Sequence, residues 1–330
     1  RNNPPLAPEL RNAQTAPAVN PYNHQEHLYD KSQPENLEFL KRFRTVLDEY
    51  PAITAVGEVG DSQRGLEIAG EYTSGGDKVH MCYAFEFLAP EPLTPAFIRA
   101  TQEKFQRVAP EGWACWAFSN HDVTRHISRW GANIYDAAGY AKLMSALLMT
   151  LRGSICIYEG EELALPEADL AYEDLRDPYG IQFWPNYKGR DGCRTPMVWE
   201  HGQPFAGFSA STPWLPVPSA HVELAVDRQD GVAGSVLSHY RQVLAFRKSH
   251  DALVDGELEF VATNQDLLVF TRTKGEDTFL FVFNLTRKPG QFTLPAKLKG
   301  VKAMSMPGFN PDFDGKVVSL SGLDAFCGRI

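Results

Sequence analysis

Two places in the chain put ionisable groups where an apolar strand has no use for them. The run Ile53-Thr-Ala-Val-Gly-Glu58-Val carries a carboxylic acid at its end, and Trp113-Ala-Cys-Trp-Ala-Phe-Ser119 runs into Asn120-His121-Asp122. Charge at a strand end gains nothing in packing, whereas the C-terminal ends of βα-barrel strands are where catalytic groups collect. Two carboxylates facing one cleft suit general acid–base work on a polar, uncharged substrate, with His121 donating hydrogen bonds to hydroxyls between Asn120 and Asp122. The alternative is that Glu58 caps the turn that follows and His121 satisfies a loop carbonyl. Two such strand ends together favour the functional reading. Asp122, His121 and His126 show no metal-ligand pattern, so no metal is assigned. Phe87, Trp113 and Trp116 read as core, and Phe85, late in its run, is the candidate wall of the substrate cleft.

These groups need strands that end on one face, and the sequence has that rhythm. Short β-rich runs begin near residues 53, 79, 113 and 154, roughly 25–40 residues apart, with helical patterns between them, which is βα-unit spacing. Ser32-Gln-Pro-Glu35 reads as a capping box, and Phe39, Phe43, Val46, Leu47 and Tyr50 then mark one apolar helix face. Thr94-Pro95 opens a second helix by the N-cap and N1 rule, and Tyr140, Met144, Leu147, Leu148 and Leu151 mark a third. The run at 53–59 reads as a buried parallel strand, with Gly57 leaving room for a substrate or loop to approach. Residues 160–233 break the rhythm with aromatic-, Pro- and Gly-rich loop sequence, and Val236, Tyr240, Val243 and Leu244 restore a helix. Beyond 256, short strands at 267–271 and 278–285 joined by Lys-Gly-Glu-Asp predict a small antiparallel β domain. The expected organisation is an α/β region over 1–255, with a loop subdomain at about 160–233, and a β domain over 256–330. Four βα units make half of an eight-stranded barrel or a smaller doubly wound sheet.

Composition narrows the partners. The chain has 330 residues, 43% hydrophobic and 22% charged, which excludes a disordered, collagen-like or coiled-coil protein. A net charge of −9 without any basic run makes nucleic acid and anionic membrane poor partners and favours a neutral substrate. The longest apolar stretches, at 143–151 and 279–283, fall short of a membrane span. Five cysteines without CxxC spacing argue against a zinc site or disulfide scaffold. Three lie in apolar runs and read as core, so the expected compartment is the cytoplasm, with the periplasm left open. The opening Arg1-Asn-Asn-Pro-Pro-Leu-Ala-Pro reads as a loop entered from something upstream, so the chain is expected to be the C-terminal part of a longer one.

Four ordered segments carry a resemblance. Ala-Val-Gly-Glu58-Val, Phe-Ser-Asn120-His121-Asp122, Ile157-Tyr-Glu-Gly-Glu-Glu-Leu163 and Gly189-Arg-Asp-Gly-Cys-Arg194-Thr-Pro-Met-Val-Trp199 resemble the α-amylase family, glycoside hydrolase family 13. The best match is its α-glucosidase branch, bacterial enzymes acting on short α-glucosides such as maltose, and Gly207-Phe-Ser-Ala-Ser-Thr-Pro-Trp214-Leu-Pro is typical of that branch. The resemblance implies strands five to eight of a (β/α)8 TIM barrel followed by the small antiparallel β domain. It implies a retaining α-glucosidase with some transglucosylation. Glu58 would be the general acid/base, Asp122 the binder of glucose hydroxyls and stabiliser of the transition state, and His121 its hydroxyl-binding neighbour. Arg194 would hold the sugar together with Asp122; a loop-fixing salt bridge is its other reading. The family's nucleophilic aspartate and its arginine have no counterpart here. The resemblance therefore implies that the isolated chain is inactive and that an N-terminal half or a second polypeptide completes the barrel. No cofactor is assigned to this chain, and any Ca2+ or Mg2+ site falls to the early strands upstream of Arg1. Two positions depart from the family pattern: Glu159 stands for the usual Gln and Ala164 for the usual Gly. A non-catalytic binding protein of the same fold and a glucosyl transferase or isomerase are the rival readings.

Overall fold

A computed structural model describes residues 2–8, 21–61, 63–131, 136–263 and 266–330. Its first half alternates helix and strand: α1 (Glu35–Leu47), β1 (Val56–Glu58), α2 (Gly65–Thr73), β2 (Met81–Ala84), α3 (Pro95–Val108), β3 (Ala114–Trp116), α4 (His126–Gly131), α5 (Ala137–Thr150) and β4 (Ser154–Ile155). The four strands are parallel and lie in chain order, β1-β2-β3-β4, so each helix crosses back over the sheet before the next strand begins. The helix signals act as expected at α3, where Thr94 Oγ1 accepts the Phe97 N–H at 3.1 Å and Pro95 occupies the first turn. At α5 the Asp136 carboxylate takes the Gly139 N–H at 2.8 Å, and Tyr140, Met144, Leu147, Leu148 and Leu151 are all buried.

Three local expectations fail. The capping box at Ser32 does not form: Ser32 has φ +50°, and the N-cap of α1 is Pro34, with no side-chain bond. The apolar face of α1 exists but is not covered, with Phe39 59% and Val46 52% exposed. Likewise β1 is not a buried strand; Val56 is 54% exposed, and β2 is its single partner among the described residues. An apolar stripe predicts burial only if another element lies against it, and none of the described residues does so here. Gly57 also serves the sheet itself, because a Cβ there would come within 2.9 Å of Cys82 Sγ on β2.

The loop region holds only short helices, α6 (Pro178–Phe183), α7 (Ser219–Val222) and α8 (Val226–Gln229). After α9 (Val236–Lys248) and α10 (Asp251–Val254) the chain turns to antiparallel strands: β5 (Glu257–Phe260), β6 (Leu268–Lys274), β7 (Asp277–Asn284), β8 (Gly290–Thr293), β9 (Lys302–Met304), β10 (Asp312–Phe313), β11 (Val317–Leu320) and β12 (Asp324–Arg329). They form a five-stranded sheet, β5-β6-β7-β12-β9, and a three-stranded one, β10-β11-β8. Alternation along β7 divides its residues between two cores. Phe279, Phe281 and Phe283 face the core shared with α5 and α9, whereas Leu280 and Val282 face the core between the two antiparallel sheets. Two buried arginines stitch the halves together at the end of α5. Arg247 donates to the carbonyls of Met149 and Gly153 at 2.7 Å each, and Arg272 to those of Thr150 and Leu151 at 2.7 and 2.8 Å. They complete carbonyls that a helix C-terminus leaves open. Cys82, Cys115, Cys193 and Cys327 are buried thiols and Cys156 is exposed. No helix among the described residues is long and apolar enough to cross a membrane.

Two sets of buried titratable groups pull stability in opposite directions. Burial holds His126 down to about 3 and His221 and His239 down to about 4, from an ordinary 6.5. Burial also raises Glu161 to about 8 and Glu86 and Glu167 to about 7, from 4.5. The unfolded chain binds more protons at the histidines below pH 6.5, so their contribution falls on acidification. It binds fewer at the carboxyls above pH 4.5, so theirs falls as pH rises toward 8. The two slopes oppose each other between 4.5 and 6.5. Urea midpoints measured from pH 3 to 8 are expected to show a plateau there with a falling limb on each side, and Glu161→Gln is expected to flatten the alkaline limb, most of all above pH 7, and to leave the limb below 4.5 unchanged. Stability that climbs from pH 6.5 to 8 would contradict the buried carboxyls.

Candidate active site

The ends of β1 and β2 and the loop after β3 open on a cleft of about 500 Å3 whose lining includes Glu58, Phe85, Asp122, Tyr72 and Tyr179. Glu58 is the last residue of β1 and is exposed. Its carboxylate makes no hydrogen bond or ion pair with any described residue. Asp122 is the opposite case. Its Oδ1 accepts from Arg194 Nη2 at 2.8 Å and from Arg190 Nη1 at 3.1 Å. Its backbone N–H is tied to Asn120 Oδ1 at 2.9 Å, so Asn120, itself buried, shapes the turn that presents Asp122. Arg194 Nε also donates to the His121 carbonyl at 2.6 Å. The His121 ring turns outward, 62% exposed, with Nε2 3.7 Å from Asp122 Oδ1.

Each arginine is positioned by something buried. Arg190 makes a two-pronged pair with Asp177, Nε to Oδ2 and Nη2 to Oδ1 at 2.9 Å each, and its backbone N–H adds a third bond at 2.8 Å. Burial works to raise the Asp177 pKa, but these bonds from Arg190 outweigh it and hold the carboxyl below the ordinary value. Asp177 also receives the Tyr179 N–H at 3.2 Å and so starts α6. Arg125, 1% exposed, holds the carbonyl of Cys193, the residue before Arg194. It donates to the Glu159 carbonyl, to Glu159 Oε1 at 2.6 Å and to the Cys193 carbonyl at 3.0 Å, and it lies over the Tyr158 ring at 5.1 Å. The acid at 159 therefore has a counter-ion. Ala164, on the same loop, takes φ +58°, ψ +37°, a left-handed conformation that suits glycine and strains any other residue.

Of the residues expected from sequence, Glu58, Phe85 and Asp122 meet around the cleft, Arg194 lies against Asp122, and Asn120 and His121 flank it. Arg190, Asp177 and Arg125 were not foreseen. Arg190 sits four residues before Arg194 in the same segment, and spacing alone does not say that both reach one carboxylate. Among the described residues no group of three or more His, Cys, Asp or Glu is arranged to hold a metal.

Comparison with known proteins shows the family to which the chain belongs. The α-amylase family model, described as the alpha amylase catalytic domain, matches residues 7–256. A protein named a probable alpha-glucosidase from Rhizobium meliloti (strain 1021) is 61% identical over 330 residues, covering 100% of this chain and 59% of its own. An oligo-1,6-glucosidase from Heyndrickxia coagulans is 31% identical over 81% of this chain and 54% of its own. The crystal structure of the alpha-glucosyl transfer enzyme XgtA superposes with a TM-score of 0.93 at 42% identity, covering 100% of this chain and 60% of that one. The chain thus spans somewhat over half the length of the relatives it matches.

Arg125→Met removes the group that joins Glu159 to Cys193; it leaves the Glu159 carbonyl without its donor and the Glu159 carboxylate without its counter-ion, while the Cys193 carbonyl keeps the Tyr158 hydroxyl at 3.0 Å. It is expected to lower stability by roughly 2–4 kcal/mol and to open the loop at 165–215 to protease. Urea unfolding and limited proteolysis measure both effects; a loss under about 1 kcal/mol with no new cleavage would remove Arg125 from its bracing role.

Proposed function

We propose, for a chain that belongs to the α-amylase family, that it forms the acid/base side of a retaining α-glucosidase site acting on short neutral α-glucosides such as maltose. The observation that carries this reading is the contrast within one cleft between Glu58, unpartnered, and Asp122, held by two guanidinium groups. Glu58 is free to give its proton to the leaving oxygen and then to take one from the attacking water. Asp122 presents its carboxylate to the sugar, where an oxocarbenium-like transition state needs a negative group. Arg194 and Arg190 fix that carboxylate, His121 and Asn120 complete the hydroxyl-binding edge, and Phe85 forms a wall for the ring. The free cysteines fit a cytoplasmic enzyme.

Retention needs two carboxylates about 5–5.5 Å apart, one of them a nucleophile. Among the described lining residues the cleft's carboxylates are Glu58 and Asp122, both already given roles. In this reading the nucleophile comes from an N-terminal half or a second polypeptide that pairs with the free edge of β1, covers Phe39 and Val56 and closes a (β/α)8 barrel of which β1–β4 are strands five to eight. The 330-residue chain alone is then inactive. A second reading is glucosyl transfer, in which a sugar hydroxyl replaces water as acceptor. The likeness to XgtA, a protein named for alpha-glucosyl transfer, favours it.

In the completed enzyme, Glu58→Gln is expected to lower turnover of maltose about 10²–10⁴-fold while sparing an aryl glucoside whose leaving group needs no proton. Asp122→Asn is expected to impair both substrates. Equal loss on both substrates for Glu58→Gln would refute the acid/base role. Product analysis with maltose as donor and acceptor separates glucose release from transfer.

A further inference from the structure

A second concavity, of about 460 Å3, lies in the loop region and shares no lining residue with the cleft. Trp214 stands at its rim, 67% exposed, while the adjacent Leu215 is 2% exposed and packs with Leu170 and Leu175. Pro213 and Pro216 restrict φ on either side. The indole is therefore held out in water by an anchored, stiff segment. Phe205 lines the same concavity in a left-handed conformation, φ +50°, ψ +31°. That bend is enforced by the next residue, whose carbonyl accepts from both Trp199 N and Glu200 N, at 2.8 and 2.9 Å.

Asp174, Arg176 and Gln203 line the same concavity as the two aromatic residues. The Arg176 guanidinium is steadied by the carbonyls of Glu173 and Leu175, at 3.2 and 2.9 Å. The Asp174 carboxylate and the Gln203 amide make no bond to any described residue, and Asp174 and Arg176 do not pair with each other. The concavity thus offers an aromatic face beside an unengaged carboxylate and amide and a guanidinium engaged through Nη1 alone among the described residues, with charges that cancel. A charged ligand would meet as much repulsion as attraction there. A neutral ring with hydroxyls on its edge and C–H bonds on its face meets both features at once, and the volume lies in the range that holds a small ligand.

We propose that this pocket is a second saccharide site, taking one pyranose unit of a neutral oligosaccharide against Trp214. The ligand class follows from the pocket's own chemistry and does not depend on the reading of the cleft. The site adjoins the cleft's support, because Arg176 N and Asp177 N both donate to Asp191 Oδ2, at 2.6 and 2.7 Å.

The test is a titration of the 330-residue chain with maltotriose, followed by tryptophan fluorescence and calorimetry, with circular dichroism to check the fold of each variant. Saturable binding is expected in the wild type and in Asp122→Ala, in which the cleft is disabled. Trp214→Ala is expected to weaken it about tenfold and Trp214→Phe much less, since a phenyl ring still offers a face. Asp174→Ala tests the hydroxyl partner independently and is expected to weaken it severalfold. Binding lost in Asp122→Ala but kept in Trp214→Ala would assign all of it to the cleft and overturn the proposal. So would absence of saturation by about 10 mM, or a Trp214→Ala effect on sedimentation alone, which would make the patch a protein contact. Failure of the cleft reading would appear separately, as a Glu58 variant without effect on turnover.

Discussion

The arrangement of the cleft rests on one buried cation. Arg125, in the turn after Asp122, reaches across to the loop after β4 and to the 190s segment, and it joins Glu159 and Cys193 through one planar group. Its own backbone N–H is taken by Glu167 Oε2 at 2.8 Å. A guanidinium removed from water has to be met by several acceptors, which an irregular loop can supply because its carbonyls are not committed to a ladder. The need to satisfy Arg125 therefore draws three stretches, distant in sequence, to one point. Gly160 belongs to the same constraint: a Cβ there would come within 2.7 Å of Arg125 Nη1.

The same logic explains why the loop region is long and almost without regular structure. Asp177 is buried, receives bonds from Arg190 and Tyr179, and passes order outward, since Arg190 then has one nitrogen left for Asp122. A helix or strand could not present Asp177, Arg190, Arg194 and Asp191 inward together, because its side chains alternate or rotate away. The strands, by contrast, contribute little more than endpoints. β1 to β4 are two to four residues long, and their value to the site is that Glu58, Phe85 and the 120–122 turn emerge on one side.

Much of this was legible in the sequence, and the misses share a cause. The βα rhythm, the helices at α3, α5 and α9 and the β6–β7 hairpin follow from short-range signals: an N-cap, a period, a Gly turn. That Glu58 and Asp122 line one cleft followed from placing ionisable groups at strand ends. Exposure of α1 and β1 was not legible, because Phe39, Phe43, Val46 and Val56 have the pattern of buried residues and pattern says nothing of whether a partner is present. Arg190, Asp177 and Arg125 escaped because each acts through another side chain at long range in sequence. Ala164 is an instructive middle case: its identity was noticed as a departure, and only the backbone, at φ +58°, shows what the departure strains.

Why two arginines on one carboxylate oxygen, when one would pair its charge? A single guanidinium at Asp122 would leave the side chain a swing about its χ angles. Two donors arriving from separate anchors, Arg194 from the His121 carbonyl and Arg190 from Asp177, leave it one orientation. Both bonds fall on Oδ1, and Oδ2 accepts from no described residue. Asp122 is 35% exposed, so the Coulomb energy of each pair is moderated by water, and the arrangement is better understood as positioning than as stabilisation. In the proposed reaction, whose positive charge would appear only in the transition state, a carboxylate already fixed in place would not have to reorganise when that charge forms. That is the physical sense in which an irregular, arginine-braced loop and a short strand end belong to one device.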